Sequence, residues 1–263
     1  MLERQCDVYF YSPYEDRDSC PLLIFLPGLN ETGQGLMSRQ MGSLQNYFNI
    51  RCLVIPPRNL DDWDVIAEST LALIEADSSR PIYLCGESFG GCLALEMLQQ
   101  APEWFERIIL INPASSFARV FWLNFGSCFL PLTPEWLYHH SAWLTLPFLA
   151  HVDRLSTQAC EDLADTIRCT DKHTANRRIE MIRDFALDEA QLQQVTTPVL
   201  IVGSQKDLIL PSVEEANRLA NIFPEATVVI LPHSGHACLV EKGMDLYQIM
   251  QANNFIESEL SKL

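Results

Sequence analysis

Positive charge is scarce in this chain. Against 34 Asp and Glu it carries 18 Lys and Arg, a net charge of −16 with histidine neutral and an isoelectric point near 4.7. Neutralising nucleic-acid phosphates takes clustered Lys and Arg, so this balance argues against nucleic-acid binding. It argues equally against a polybasic membrane anchor. No uninterrupted apolar run reaches 18 residues, so no transmembrane helix is expected. The start, MLERQCDVYF, has acids early and no long apolar stretch, so neither a secretory signal nor an Arg- and Ser-rich transit peptide is expected. The nine cysteines are odd in number, scattered, and never spaced CxxC. That disfavours a zinc site or a disulfide framework and suits small buried hydrophobes in a reducing, cytoplasmic compartment. GxGxxG, P-loop and HExxH patterns are also missing, so no nucleotide, metal or other cofactor is expected.

What is present reads as one globular unit. At 263 residues a single core can still bury roughly three quarters of the extended chain's surface. Candidate strands lie at Cys6–Ser12, Leu22–Leu26, Cys52–Pro56, Ile82–Cys85 and Arg107–Asn112, the last four being short runs of Leu, Ile, Val and Phe with little alternation. Helical patterns at Asp62–Ala76 and Phe89–Ala101 separate them. PVLIVG resumes the rhythm at Pro198, followed by a helix at Ser212–Ile222, the run ATVVIL at 226–231 and a last helix near Met244–Glu259. Strands buried on both faces and alternating with helices predict a mostly parallel sheet flanked by helices, an α/β fold.

The middle of the chain breaks this rhythm. Residues 117–150 hold 21 apolar side chains in 34 and only two charges, Arg119 and Glu135. Prolines 131, 134 and 147 cut the stretch into short pieces. It reads as a helical cap covering the C-terminal edge of the sheet, or alternatively as two ordinary core helices. The expected layout is a core from 1–114 and 196–263 with the insertion at 115–195. A helix is predicted over 174–190, where Ile179, Ile182, Ala186 and Ala190 follow a helical period. Arg168, Lys172, Arg177, Arg178 and Arg183 form a basic cluster, read as a solvated helix face, or else as a docking surface for an acidic carrier or lipid headgroup.

The chemistry centres on Gly86-Glu87-Ser88-Phe89-Gly90, placed after the strand PIYLCG and opening the helix GGCLALEML. That context predicts a sharp, strained turn that exposes the Ser88 hydroxyl. The Phe89 amide would lie at a helix N-terminus, free to donate to an oxyanion. A serine hydroxyl needs a base oriented by an acid. In this architecture the chain order is serine, acid, histidine. Asp207, just after the strand Val199–Gly203, is the expected acid. The other usual place, the end of the preceding strand, reads Ile111-Asn112-Pro113 and holds no carboxylate. Past the last strand, His236 follows Gly235 and is the expected base, with His233 as the competitor. The loop Pro27-Gly28-Leu29 is expected to supply the second oxyanion donor, the Leu29 amide. Phe121, Trp122, Phe125, Phe129, Trp136, Trp143 and Phe148 are the candidates for binding a long apolar chain.

These motifs resemble the α/β-hydrolase superfamily. LLIFLPGLNETG, PIYLCGESFGGCLALEML, LINPASSFAR, SQKDLILPSVEEANRL and SGHACLVEKGMDL resemble more closely the hydrolase half of plant and cyanobacterial phytyl ester synthase/diacylglycerol acyltransferase-like proteins. The resemblance implies the α/β-hydrolase fold, triad roles for Ser88, Asp207 and His236, and fatty-acyl or phytol-type esters of photosynthetic membranes as substrates. Larger members carry a second, acyltransferase-like module with a His followed five residues later by Asp. No histidine here has Asp at that offset, so this module is not expected within the chain. The expectation is a serine esterase cleaving, or transferring, long-chain acyl or isoprenoid esters, with transient membrane contact. An acyl-carrier or acyl-CoA thioesterase, and a non-catalytic lipid- or partner-binding module, are the alternatives.

Overall fold

The runs Leu22–Leu26, Ile82–Glu87, Arg107–Ile111 and Val199–Ser204 become the central strands of one sheet, and all but Arg107 of their residues are buried. A strand covered on both faces has no solvent side to encode, which is why polar alternation is missing. The computed structural model describes residues 7–17, 20–29, 34–76, 80–121, 123–124, 133–134 and 143–256. Its strands are β1 (Tyr9–Tyr11), β2 (Leu22–Leu26), β3 (Asn49–Val54), β4 (Ile82–Glu87), β5 (Arg107–Ile111), β6 (Val199–Ser204) and β7 (Ala226–Leu231). They lie in the order β1-β3-β2-β4-β5-β6-β7. β1 pairs antiparallel with β3, and every other neighbouring pair is parallel.

The start of β3 and the first helix depart from the sequence expectation for identifiable reasons. β3 begins three residues earlier than its apolar run, because Asn49, Ile50 and Arg51 pair with Leu22, Leu23 and Ile24. Asn49 and Arg51 are polar yet buried. Asn49 donates to the carbonyls of Arg17 and Cys20, and Arg51 pairs with Asp16. The helix α1 (Gln34–Leu44) was not expected at all, since its sequence, QGLMSRQMGSL, sets two glycines and two serines among its good helix formers.

The sheet is sandwiched. On one face α2 (Trp63–Glu75), α3 (Phe89–Gln100) and, later in the chain, the helix at Ser212–Ala220 pack against Ile24, Leu84, Ile108 and Leu110. On the other, α1 and the helix at Leu246–Ala252 cover Phe25, Cys85, Ile109 and Val202. That last helix stops short of the expected Glu259. Its chain turns at Asn254, whose φ of 54° is a left-handed helix-ending conformation.

The insertion contributes a 3-10 turn at Ala114–Arg119, helical residues at 143–149, and the helices α4 (Thr157–Cys169), α5 (Lys172–Arg183) and α6 (Glu189–Leu192). The single helix expected over 174–190 is thus two. Asp171 caps the start of α5 through the amides of His173 and Thr174, and Asp188 caps α6 through Gln191. Among the described residues the insertion has no core of its own. Leu146, Leu155, Leu163 and Ile167 join the second face of the sheet, while Met181, Ile182 and Phe185 join the first. The helices after β6 and β7 complete the chain as α7 (Ser212–Ala220) and α8 (Leu246–Ala252).

Candidate active site

Ser88 sits between β4 and α3 with φ 53° and ψ −111°, a backbone conformation L-residues rarely adopt. Its neighbours explain how the turn is held. The Ser88 amide donates to the carbonyl of Ile111 at 3.0 Å, and its carbonyl accepts from the amides of Gly91, Cys92 and Ala114. A Cβ on Gly86 would lie 2.3 Å from the Gly90 oxygen, and one on Gly90 would lie 2.1 Å from the Leu26 oxygen. Only glycine fits at either place.

The expected base and acid meet the serine. His236 Nε2 lies 2.8 Å from Ser88 Oγ, and His236 Nδ1 lies 2.7 Å from Asp207 Oδ2. The imidazole is buried, and the Asp207 side chain is 1% exposed. Burial pushes the Asp207 carboxyl up. The charge and hydrogen bond of His236, the Ser212 hydroxyl at 2.5 Å and the Leu210 amide outweigh it and hold the carboxyl below its usual value. An ionised Asp207 only accepts, so the imidazole proton stays on Nδ1. Nε2 is left with a lone pair facing the Ser88 hydroxyl. His233, the competitor, is exposed, as are His151 and His173. His139 and His140 lie outside the described residues.

Three polar residues that the sequence reading passed over hold this constellation. Asn112, at the end of β5, donates from Nδ2 to the His236 carbonyl at 2.6 Å and to Ser204 Oγ at 2.9 Å. Its Oδ1 accepts from the Ser204 amide at 2.8 Å. Ser212 donates its hydroxyl to Asp207 Oδ2, the oxygen that also faces His236, while Oδ1 accepts from the Ile209 and Leu210 amides. Glu241 accepts from the Gly235 amide at 2.8 Å and the His151 amide at 3.0 Å, and faces Arg154 at 3.1 Å. The available signal was a polar residue terminating a wholly apolar strand, which Ile111-Asn112 displays.

Among the described residues neither the Leu29 amide nor the Phe89 amide has a hydrogen-bond partner. Phe89 opens α3, where unpaired amides and the helix dipole favour negative charge. Both amides therefore have donor capacity left, which is what an oxyanion-binding role would require. The Leu29 carbonyl, by contrast, accepts from Arg178 at 2.5 Å. No group of three or more His, Cys, Asp and Glu among the described residues is arranged to hold a metal ion.

The basic cluster does not present a free positive face. Arg168 pairs with Asp165, Arg177 with Asp62 and Arg183 with Asp184, while Lys172 donates to the Thr133 carbonyl. Arg178 is buried, which corrects its reading as part of a solvated face. Of the aromatic candidates, Phe121, Trp143 and Phe148 are 83%, 46% and 55% exposed, and the Arg168 guanidinium lies 5.7 Å above the Trp143 ring. Trp122, Phe125, Phe129 and Trp136 lie outside the described residues.

The chain resembles known proteins in both sequence and fold. Residues 59–243 match the family model described as serine aminopeptidase, S33 (Hydrolase_4). Phytyl ester synthase 1, chloroplastic, of Arabidopsis thaliana is 27% identical over 265 residues, which is 91% of this chain and 37% of that protein. The chain thus spans well under half the length of this relative. A putative carbamate hydrolase RutD of Pseudomonas syringae is 27% identical over 71% of this chain and 73% of its own length. The solved esterase from Exiguobacterium antarcticum superimposes with a TM-score of 0.76 over 97% of this chain and 96% of its own, at 17% identity.

Proposed function

Because the chain belongs to the serine aminopeptidase S33 (Hydrolase_4) family of α/β hydrolases, we propose that it is a serine esterase acting through an acyl-Ser88 intermediate on long-chain acyl or isoprenoid esters. The observation that carries this reading is the unbroken run Ser88 Oγ, His236, Asp207, with contacts of 2.8 and 2.7 Å.

The proposed steps make use of that geometry. As Ser88 Oγ attacks the ester carbonyl carbon, His236 Nε2 takes the hydroxyl proton. Asp207 stabilises the resulting imidazolium. The carbonyl π electrons move to oxygen, and the Leu29 and Phe89 amides receive that oxyanion. Collapse breaks the bond to the alcohol, which leaves with the proton from His236. Water then gives a proton to His236 and attacks the acyl-enzyme. Ser88 departs with that proton, and the acid is released. An alcohol in place of water would give a new ester.

The substrate class rests on the apolar stretch at 117–150 and on the similarity to a protein named as a phytyl ester synthase. Burying each CH₂ of a substrate chain contributes about 0.8 kcal/mol, so such a surface favours long chains. Among the described residues no helix is long and apolar enough to cross a membrane. Contact with photosynthetic membranes would therefore be peripheral. Docking to an acidic carrier has less support, because the cations of the basic cluster are engaged within the chain.

Purified protein and Ser88→Ala would be treated with a fluorophosphonate probe. Separate, probe-free samples of each would be incubated with a panel of phytyl esters and acylglycerols, with and without phytol, and the products read by mass spectrometry. The expected result is labelling and free acid from the native protein alone, with kcat/KM rising with acyl length. Undiminished labelling of Ser88→Ala would overturn the mechanism. A preference for acetate over decanoate would overturn the substrate class.

A further inference from the structure

The guanidinium of Arg178 is enclosed by main-chain oxygens. Arg178 lies on α5, in the insertion, and is 3% exposed. A buried charge is costly unless its donors are satisfied. Here Nη1 donates to the Leu29 carbonyl at 2.5 Å, and Nη2 donates to the Ile55 and Pro56 carbonyls, both at 3.1 Å. One side chain thereby ties the loop after β2 to the segment after β3. The same guanidinium lies 5.9 Å above the Phe89 ring, a cation–π placement. Arg178 therefore contacts both residues proposed to supply the oxyanion donors.

A second contact brings the same helix to the same ring. The Trp63 indole packs against Phe89, ring centroids 4.5 Å apart and planes tilted by 30°, and donates its N–H to the carbonyl of Met181, three residues beyond Arg178. α5 thus holds the start of α3 through Arg178 and through Trp63, and holds the Leu29 loop through Arg178.

From this arrangement we infer that Arg178 is a positioning residue for the oxyanion hole, fixing the Leu29 and Phe89 amides from the insertion. This rests on the serine-esterase reading. Anchoring the carbonyl of Leu29 restrains the peptide on its other side, whose N–H is the donor. A planar guanidinium serves three carbonyls in two segments at once, which an ammonium on a flexible stem does not. Its charge is also permanent in proteins, so its contribution does not vary with pH. Displacing a reacting geometry by about 1 Å can cost on the order of 10²-fold in rate.

The test uses the full chain and a long-chain alkyl fluorophosphonate, whose reaction with Ser88 needs the oxyanion donors but no knowledge of the natural ester. Arg178→Met, Arg178→Lys and, as a surface control, Arg177→Met would be compared with the native protein. Measured would be the maximal labelling rate, the probe's half-saturation, the thermal midpoint and the pH profile of labelling. The Met variant is expected to label about tenfold to a hundredfold more slowly at saturation. Half-saturation and the shape of the pH profile should stay unchanged. The Lys variant should be intermediate and Arg177→Met native-like. A saturated rate within twofold of native in folded Arg178→Met would overturn the proposal. So would a loss confined to half-saturation. Should the Met variant fail to fold, the same rate criteria applied to Arg178→Lys decide the matter. Labelling that survives Ser88→Ala would instead remove the serine-esterase reading, whatever Arg178 does.

Discussion

The side-chain amide of Asn112 donates to the main-chain carbonyl of His236 across 2.6 Å. The carboxylate that could have stood at the end of β5 is absent, and in its place an amide holds the loop that carries the base. Asn112 also adopts φ 43°, a left-handed conformation that asparagine tolerates better than alanine. Asn112→Ala would strip the Ser204 amide and the His236 carbonyl of a buried partner. Leaving such groups unmet costs about 1–3 kcal/mol, read as a lower urea midpoint. kcat should fall with it. Asn112→Asp should be worse, because a carboxylate oxygen would then face the His236 carbonyl. An Asp variant equal to native in both measurements would disprove the assignment.

The pH dependence follows from Asp207, whose carboxyl is held below its ordinary value of 3.8. A depressed folded pKa contributes stability that is complete above the unfolded value and is lost as pH falls through the lower folded one. Asp207 therefore stays ionised through the range in which imidazoles titrate, about pH 6.5 for an unperturbed one. The acid limb of kcat/KM should be a single-proton fall with slope one, set by His236. A slope of two would contradict this. Asp207→Asn removes the acceptor that keeps the proton on Nδ1, and kcat should drop by roughly 10⁴-fold with the fold retained.

The glycines divide sharply by position. Gly86→Ala and Gly90→Ala place a methyl group 2.3 and 2.1 Å from main-chain oxygens. Neither variant should accumulate as folded protein in a soluble-expression assay. Gly42, inside α1, has nothing within 4 Å of the added Cβ. Gly42→Ala should raise stability by about 0.5–1 kcal/mol, measured by denaturant melt.

Glu241 joins the histidine loop to the insertion. It accepts from the amides of Gly235 and His151, while the Ala237 amide donates to Leu149 and the Lys242 amide to Arg154, both at 2.7 Å. Glu241→Ala should lower the thermal midpoint and kcat together. Glu241→Gln keeps one acceptor oxygen and should lose less of both. Equal losses in the two variants would show that the amide contacts do not matter.

The insertion was the least legible part of the chain. Its apolar content read as a cap, and beyond that apolar stretch Leu163 and Ile167 serve one face of the sheet and Met181 and Phe185 the other. A hydrophobic side chain does not state which surface it will meet. Arg178 shows the same limit from the opposite side. It stood among four other basic residues, and nothing in the spacing set apart the one that would be buried beneath Leu29.

Local order alone determined the parallel strands, the turn at Ser88 and the sequence Ser88, Asp207, His236. Unalternating runs read as strands covered on both faces, as Leu22–Leu26, Ile82–Glu87 and Val199–Ser204 are, although ATVVIL at 226–231 stays partly exposed, and Gly86 and Gly90 are demanded by a turn that leaves no room for a Cβ. Tertiary structure alone decided what supports them. Asn112, Glu241 and Arg178 act on groups 124, 6 and 149 residues away in the chain, on His236, Gly235 and Leu29. A polar residue's role depends on which main-chain groups burial brings to it, and that is settled only when the sheet and the insertion pack.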